Sequence, residues 1–404
     1  MRVAHIAFQY GLNNTGGAAI AATRLHQALL ARGVESHYIC IHQREPGVNV
    51  HVLPRGWRRI LFVALTKITR CFWKFTPYRK SISLNVVPQF GLEELLAQIK
   101  PDVVHVQFIA DSCSFRQLAK LPYRKVFNLH DLFFLNAIQP YPRKDRRFVV
   151  GFNSGNSTRL ERWLFSRKRR MVEACRPVFV GPSRWVCDEC QRSIVGRNCR
   201  AFALPNIIDD RFYRKIEGVF PSNEKFVILF GAYGGRRNKD KGFDDLARAL
   251  DLLPLEVKEE CELRIFGETA DDCATGGVRT HFLGPISDPD LMCKHYRTSD
   301  VFAFPSREET QGMTKVEAML CGLPVIAFDR TACAEGVEHG ETGWIVADGD
   351  INQYADGLKW AFDLWKSGML NGKRGLIASK ARQSFDAGAL VNRIKALYSE
   401  IAHG

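Results

Sequence analysis

Residues Phe302–Val346 read FAFPSREETQGMTKVEAMLCGLPVIAFDRTACAEGVEHGETGWIV, and the order of apolar and polar runs in this stretch decides the fold. A short apolar run, Val301–Phe304, stops at Pro305-Ser306 and reads as a buried strand meeting a turn. A polar loop with two acids, Glu308 and Glu309, follows. Gly312-Met313-Thr314 then opens a helix that carries Glu317-Ala318-Met319. Cys321-Gly322-Leu323-Pro324 stops that helix, and Pro324–Phe328 is the next strand. Strand, turn, helix and strand in so short a span are the unit of a parallel α/β sheet, where ligands bind beyond the carboxyl ends of strands. Free N–H groups at the helix start suit a phosphate oxygen. Glu309 and Glu317 straddle the turn. One acid is placed for hydroxyls near the phosphates, the other for a ribose reached from inside the helix.

The same alternation extends outward from this stretch. KFVILF at Lys225–Phe230 is a buried strand, and a glycine-rich turn and the helix Phe243–Leu252 follow it. Cys261–Phe266 and Thr280–Leu283 end at Gly267 and Gly284. In the other half, Arg2–Gln9 is a strand, Asn13–Gly17 a turn, Ala18–Ala31 a helix and Ser36–Ile41 a strand. Asp102–Gln107, Lys125–Leu129 and Val178–Val180 are further strands, and Ser183 is an N-cap. Two α/β units with mainly parallel sheets are expected, residues 1–203 and 204–384, with the linker Leu204–Asp210 at Pro205. Two such units facing each other would leave a site in the cleft between them.

The chain has 404 residues, 46% hydrophobic and 25% charged, which excludes wholesale disorder and a fibrous repeat. Its net charge of +14 is uneven. Met1–Arg200 holds 32 basic and 12 acidic residues, and Ala201–Gly404 holds 25 and 31. The basic half expects an anionic partner. No signal peptide and no run long enough for a transmembrane helix is read, so the cysteines are expected to be reduced thiols in a cytosolic protein. Cys187-x-x-Cys190 with Cys199 lacks a fourth ligand at zinc spacing, and no metal site is expected. Asp288-Pro289-Asp290 and Asp348-Gly349-Asp350 read as turns.

The Glu309-x7-Glu317 spacing, followed by EAMLCGLPVIAF and HGETGWIV, resembles the C-terminal signature of family 4 glycosyltransferases. The resemblance implies the GT-B fold, two Rossmann-like domains facing across a cleft, with a last helix (about 385–404) packing back on the first domain. It implies a retaining enzyme that takes a UDP- or GDP-linked sugar and needs no cofactor and no essential metal. TQGMTKV stands where many members have a Phe-Gly turn, and Arg330–Ala334 replaces a glycine-rich stretch.

By the same resemblance, Lys241 and either Arg236 or Arg237 lie against the donor diphosphate, Arg236 being favoured by spacing. Gly312, Met313, Thr314 and Glu317 hold phosphate and ribose, and Ile286 holds the base through its backbone. Gly16 and Gly17 let backbone approach the donor. His130, in Asn128-Leu129-His130-Asp131, contacts the donor sugar, whereas His105 is expected in the core. The implied catalytic set is Glu309, His130, Arg236 and Lys241, with front-face attack and no protein nucleophile. The implied process is bacterial surface-polysaccharide assembly on a lipid-linked acceptor. The alternative is a catalytically silent relative that binds glycans or a partner. A phosphorylase of similar architecture would need a cofactor lysine site, which is not found.

The basic half has its own signal. RGWRRILFVALTKITRCFWKFTPYRK, residues 55–80, interleaves cations with aromatic and aliphatic residues. Trp57, Arg58, Arg59, Lys67, Arg70, Trp73 and Lys74 are candidates for contact with an anionic membrane surface, which would make the protein peripheral on the inner face of the cell membrane. Arg167–Arg170 is expected to add to that face. No nucleic-acid motif is found, and nucleic acid is not an expected partner.

Overall fold

A computed structural model describes residues 1–13, 16–71, 83–138, 145–152, 157–214, 223–231 and 234–403, with only the backbone described at 70–71. The chain forms two compact units: Met1–Asn206 with Gly388–Gly404, and Ile207–Ala387.

Unit 1 contains strands β1 (Arg2–Ile6), β2 (Gln9–Tyr10), β3 (Glu35–Cys40), β4 (His42–Gln43), β5 (Val50–Val52), β6 (Val103–Val106), β7 (Arg124–Asn128), β8 (Val178–Gly181) and β9 (Ala201–Ala203). Its helices are α1 (Gly17–Ala31), α2 (Gly56–Cys71), α3 (Leu92–Ile99), α4 (Phe115–Lys120), α5 (Arg147–Val150), α6 (Arg159–Cys175) and α7 (Arg184–Arg192). Seven strands form one sheet in the order β5-β3-β1-β6-β7-β8-β9, with every pairing parallel. β2 and β4 pair separately. Mainly apolar strands such as Val103–Val106, which includes His105, are buried throughout, as a sheet covered on both faces requires.

Unit 2 contains β10 (Phe226–Gly231), β11 (Cys261–Phe266), β12 (Cys273–Thr275), β13 (Val278–Gly284), β14 (Val301–Phe304), β15 (Val325–Phe328) and β16 (Gly343–Val346). Its helices are α8 (Phe243–Asp251), α9 (Leu255–Glu259), α10 (Pro289–Arg297), α11 (Met313–Leu320), α12 (Ile351–Lys366) and α13 (Met369–Ser384). The sheet order is β12-β13-β11-β10-β14-β15-β16, antiparallel only at β12. Separate cores cover its two faces. One gathers Phe302, Phe304, Val316 and Ile377, the other Ile228, Leu246, Ile265 and Tyr354.

The C-terminal residues form two helices. α13 ends at Ser384, and α14 (Ala387–His403) begins after a break at Phe385-Asp386, where the chain leaves unit 2 for unit 1. Within unit 1, the buried Tyr398 of α14 lies 2.6 Å from His105 Nδ1, and Arg200 pairs with Glu400. Asp288 and Asp350 are the N-caps of α10 and α12, and the side chain of each accepts a backbone N–H.

One expectation needs correction. Arg167–Arg170 is not a uniform basic surface, because Lys168 is fully buried. α6 turns Leu164, Phe165, Lys168, Met171 and Val172 inward at helical spacing, and the lysine falls on that face.

Candidate active site

Strand order reverses between β10 and β14 in unit 2, and between β1 and β6 in unit 1. Such reversals open a crevice at the carboxyl ends of the strands. In unit 2 two loops lie there, and their described residues 234–242 and 305–312 contain Arg236, Lys241 and Glu309.

These loops are clasped together. Gly242 has φ +72°, and a Cβ on it would collide with the Pro305 carbonyl oxygen. Arg307 N–H donates to the Asp240 carbonyl at 2.8 Å, and the Arg307 side chain reaches Asp245 at 3.1 Å. The clasp brings Lys241 Nζ to 2.5 Å from Glu309 Oε1. Burial pushes the Lys241 ammonium down, but the Glu309 carboxylate more than restores it, and the net direction is upward. Lys241 is therefore a cation at neutral pH, paired with a buried carboxylate.

Glu309 is held from behind by the stretch that departs from the family pattern. Thr331, in the left-handed region at φ +48°, accepts the Glu309 N–H on its hydroxyl at 3.1 Å. Ala332 N–H donates to the Glu309 carbonyl at 3.2 Å. This loop is tethered in turn by Lys315 of α11. Its buried Nζ donates to the carbonyls of Ala332, Cys333 and Glu335 at 2.9, 3.0 and 2.7 Å. Burial pushes the Lys315 amine down to about 8, while an ammonium's three N–H donors match three carbonyls. The sequence gives Lys315 no mark except its place two residues before Glu317.

α11 starts at Gly312, which has φ +75° and leaves no room for a Cβ; the added atom would lie 2.5 Å from Phe304 Cζ. No side chain caps this helix, so the N–H groups of Met313 and Thr314 face outward at the positive end of the helix dipole. On its inner side, Glu317 accepts from the Tyr296 hydroxyl at 3.3 Å. Burial, reinforced by Glu317, holds the Tyr296 phenol well above its ordinary range, so it stays a donor.

Arg236 and Arg237 both meet Glu268, at the carboxyl end of β11. Arg236 donates from its backbone at 3.0 Å and from its side chain at 3.2 Å, and its guanidinium lies 4.4 Å from the Phe282 ring centre. Hydrogen bonding to Arg236 holds the Glu268 carboxyl below the usual range. Arg237 is exposed and 3.7 Å away. Glu268 was not singled out from the sequence, although an acid directly after a strand-ending Gly267 is a legible signal. Ile286 follows β13 and packs half-buried on the core of its face.

In unit 1, His130 follows β7, and Gln107 follows β6. His130 Nε2 lies 2.8 Å from Gln107 Oε1, which also accepts from Asn128 Nδ2 at 3.0 Å. Gln107 Nε2 in turn donates to His5 Nδ1 at 3.1 Å. This network assigns the proton of His130 to Nε2. Burial pushes His130 down to about 4, so the imidazole is neutral at pH 7. Asp131 accepts the Phe133 N–H at 2.7 Å, and burial pushes its carboxyl up to about 6. The loop is tethered by Lys168, which donates to the carbonyls of Phe133, Asn136 and Ala137 at 2.5, 2.9 and 3.2 Å. Gly16 is the N-cap of α1 at an ordinary φ of −77°, with no atom within 4 Å of an added Cβ, and Gly17 opens the helix.

α2 turns Phe62 and Thr66 inward and leaves Trp57, Ile60 and Ile68 exposed at 69%, 74% and 55%. Arg58 pairs with Glu94 at 3.2 Å, Arg59 reaches the Ile41 carbonyl at 3.4 Å, and Lys67 is exposed. The side chain of Arg70, and Trp73 and Lys74 entirely, lie outside the described residues. Among the described residues, no group of acids, histidines and cysteines forms a metal site, and no helix is long and apolar enough to cross a membrane.

Comparison with known proteins matches both units. The family model described as Glycosyltransferase Family 4 covers residues 15–212, and that described as Glycosyl transferases group 1 covers residues 225–363. The chain belongs to the family 4, group 1 glycosyltransferases. Within this glycosyltransferase family, phosphatidyl-myo-inositol mannosyltransferase of Mycobacterium leprae is 29% identical over 191 residues, 45% of this chain and 48% of that relative. The capsular polysaccharide biosynthesis glycosyltransferase CapM of Staphylococcus aureus is 26% identical over 162 residues, 38% of this chain and 40% of that relative. The chain thus matches half or less of the length of these curated relatives. Anabaena HepE, solved with UDP-glucose, superposes with a TM-score of 0.62 at 16% identity, over 99% of this chain and 100% of that one. The likeness is one of fold, the two Rossmann-like halves of the GT-B class.

Proposed function

We propose that the protein is a retaining glycosyltransferase that moves a sugar from a UDP- or GDP-linked donor to a lipid-linked saccharide in bacterial surface-polysaccharide assembly. The Lys241–Glu309 pair, beside the glycine-opened start of the helix that buries Glu317, carries this reading. In it, the donor diphosphate lies on the N–H groups of Met313 and Thr314, and Lys241 and Arg236 neutralise the charge that grows as it departs. Glu317, oriented by Tyr296, takes the ribose hydroxyls. Glu309, relieved of Lys241 by the phosphates, holds the sugar and stabilises its oxocarbenium-like state. The neutral His130 imidazole suits a sugar hydroxyl. The acceptor hydroxyl attacks C1 on the face the diphosphate leaves, and its proton passes to the departing phosphate oxygen.

The names of two matched relatives, a phosphatidyl-inositol mannosyltransferase and a capsular polysaccharide glycosyltransferase, support the acceptor class, and the UDP-glucose in HepE supports the donor class. Nucleotide release from UDP-glucose, UDP-N-acetylglucosamine and GDP-mannose by the purified protein tests the proposal. Glu309→Gln is expected to lower turnover by about 10²–10³-fold. Unchanged turnover would remove Glu309 from the chemistry. Binding of no nucleotide sugar would leave the non-catalytic alternative.

Peripheral membrane binding belongs to the same proposal, supported by the exposed Trp57, Ile60 and Ile68 beside Arg58 and Lys67. Flotation with phosphatidylglycerol vesicles is expected, and Trp57→Ser with Ile60→Ser should abolish it. Equal flotation with phosphatidylcholine would reject it.

A further inference from the structure

Beyond β3 in unit 1 lies a cavity of about 330 Å³, lined by Ile41, His42, Gln43, Arg44, Val52 and Arg59. Four of these six residues are polar and none is acidic. Its guanidinium groups come from two elements, Arg44 from the loop after β4 and Arg59 from the start of α2. Arg44 makes no side-chain hydrogen bond or ion pair among the described residues, and Arg59 makes only its long bond to the Ile41 carbonyl. The neighbouring acid, Glu45, is turned away, accepting from Leu12 N and Asn13 Nδ2 at 3.1 and 3.5 Å. Two arginines thus face open space with no carboxylate among the lining to neutralise them.

We infer that this cavity is a phosphate-binding subsite for the acceptor. Two guanidinium forks present enough N–H donors for the three oxygens of a phosphate ester, and the histidine and amide add polar contacts at the wall. The volume exceeds that of a bare ion and fits a phosphate with the small polar group attached to it. The cavity lies at the carboxyl end of β3, the end of the sheet that also presents His130. The loop after β1 and β2 runs against it. Gly11, at φ +139°, passes so close that an added Cβ would lie 2.9 Å from Arg44 Cβ. Arg59 lies on the same side of α2 as the inward-turned Phe62 and Thr66, which aims it at the cavity wall. Naming the ligand an acceptor rests on the proposed glycosyl transfer, whereas the anion site itself does not.

The test titrates the full chain with sn-glycerol 1-phosphate in a calorimeter, and floats it with vesicles of phosphatidic acid or of phosphatidylcholine. Wild type is compared with Arg44→Gln/Arg59→Gln, with the single change Arg44→Gln at an exposed position, and with Lys359→Gln, which removes an exposed cation paired with Asp363 on α12. The double variant is expected to weaken phosphate binding at least tenfold, Arg44→Gln alone by a smaller factor, and Lys359→Gln by less than twofold. An effect in the vesicle arm identifies a lipid headgroup as the source of the phosphate, and an effect confined to the calorimeter a soluble sugar phosphate. Absence of phosphate binding in both arms, or a Lys359→Gln loss equal to that of the double variant, would overturn the inference. UDP binding measured on the same samples separates the two readings. Its absence throughout sinks the glycosyl-transfer proposal and leaves the anion site standing, whereas intact UDP binding with no effect of the double variant sinks the anion site alone.

Discussion

The loop carrying His130 in unit 1 and the loop backing Glu309 in unit 2 are tethered in the same way, each by a buried lysine whose Nζ donates to three backbone carbonyls. What the tethers hold differs. Unit 2 presents ionised pairs, Lys241–Glu309 and Arg236–Glu268. Unit 1 presents neutral groups, His130, Gln107, Asn128 and His5, with His26 and His105 also fully buried in its interior. Anchoring a loop and choosing its charge are thus separate tasks. A diphosphate needs fixed charge, and a sugar hydroxyl is served by neutral donors and acceptors.

Acid should separate the two units most strongly. Burial holds His26 and His130 at about 4, His105 at about 3 and His5 well below its ordinary value, against about 6.5 in the unfolded chain. Between pH 6.5 and 4 the unfolded chain binds protons that the folded unit refuses, so stability falls as pH drops through that window. Asp131, pushed up to about 6, works the other way and offsets one histidine. Lowering pH from 7 to 4.5 should cost unit 1 on the order of 5 kcal/mol. In unit 2 the half-buried His295 adds a smaller loss, and Glu268, held low, weakens the fold only as pH falls below the ordinary glutamate range. Hydrogen exchange followed by peptide should show unit 1 opening first. Simultaneous opening would break the contrast.

Removing the tethers comes next in size. Lys168→Met and Lys315→Met keep side-chain length and orphan three buried carbonyls each, at about 3 kcal/mol apiece. Urea unfolding, read by exchange in each unit, should place each loss in the unit that carries the change. A loss under about 1 kcal/mol would mean that packing, rather than the lysine, holds the loop.

The glycines give the smallest effect and sharpen the comparison. Gly312→Ala meets both a left-handed backbone and the Phe304 ring, and should cost about 1–2 kcal/mol in a thermal melt. Gly16→Ala meets neither, and should cost about 0.5 kcal/mol. A Gly16→Ala variant that folds normally but loses turnover would show that unit 1 keeps that glycine for a ligand and not for its backbone.

Much of this was legible in the sequence. Apolar runs such as Phe226–Phe230 and, broken only by His105, Val103–Val106 announce buried parallel strands. The switch-point loops of unit 2 could be found from a strand end, a glycine and an acid in fixed order. The lysine tethers could not. Lys168 sits in a run of four cations that reads as surface, and only its phase on α6 turns it inward. Lys315 looks like any solvated helix residue until the Arg330–Glu335 loop folds over it. Gln107 lies at the end of an apolar strand, and its role depends on β7 lying beside β6. Such residues act through partners distant in the chain, and local pattern carries no record of them.

Because α14 belongs to unit 1 but follows all of unit 2 in the chain, the order of completion during synthesis is the reverse of the usual one. Unit 2, contiguous from Ile207 to Ala387, can close while the first unit still waits for residues 388–403. Until then the nascent chain holds the His105 side of the first sheet without the helix that supplies Tyr398, and ribosome stalling between these two points would leave one lobe mature and the other ajar.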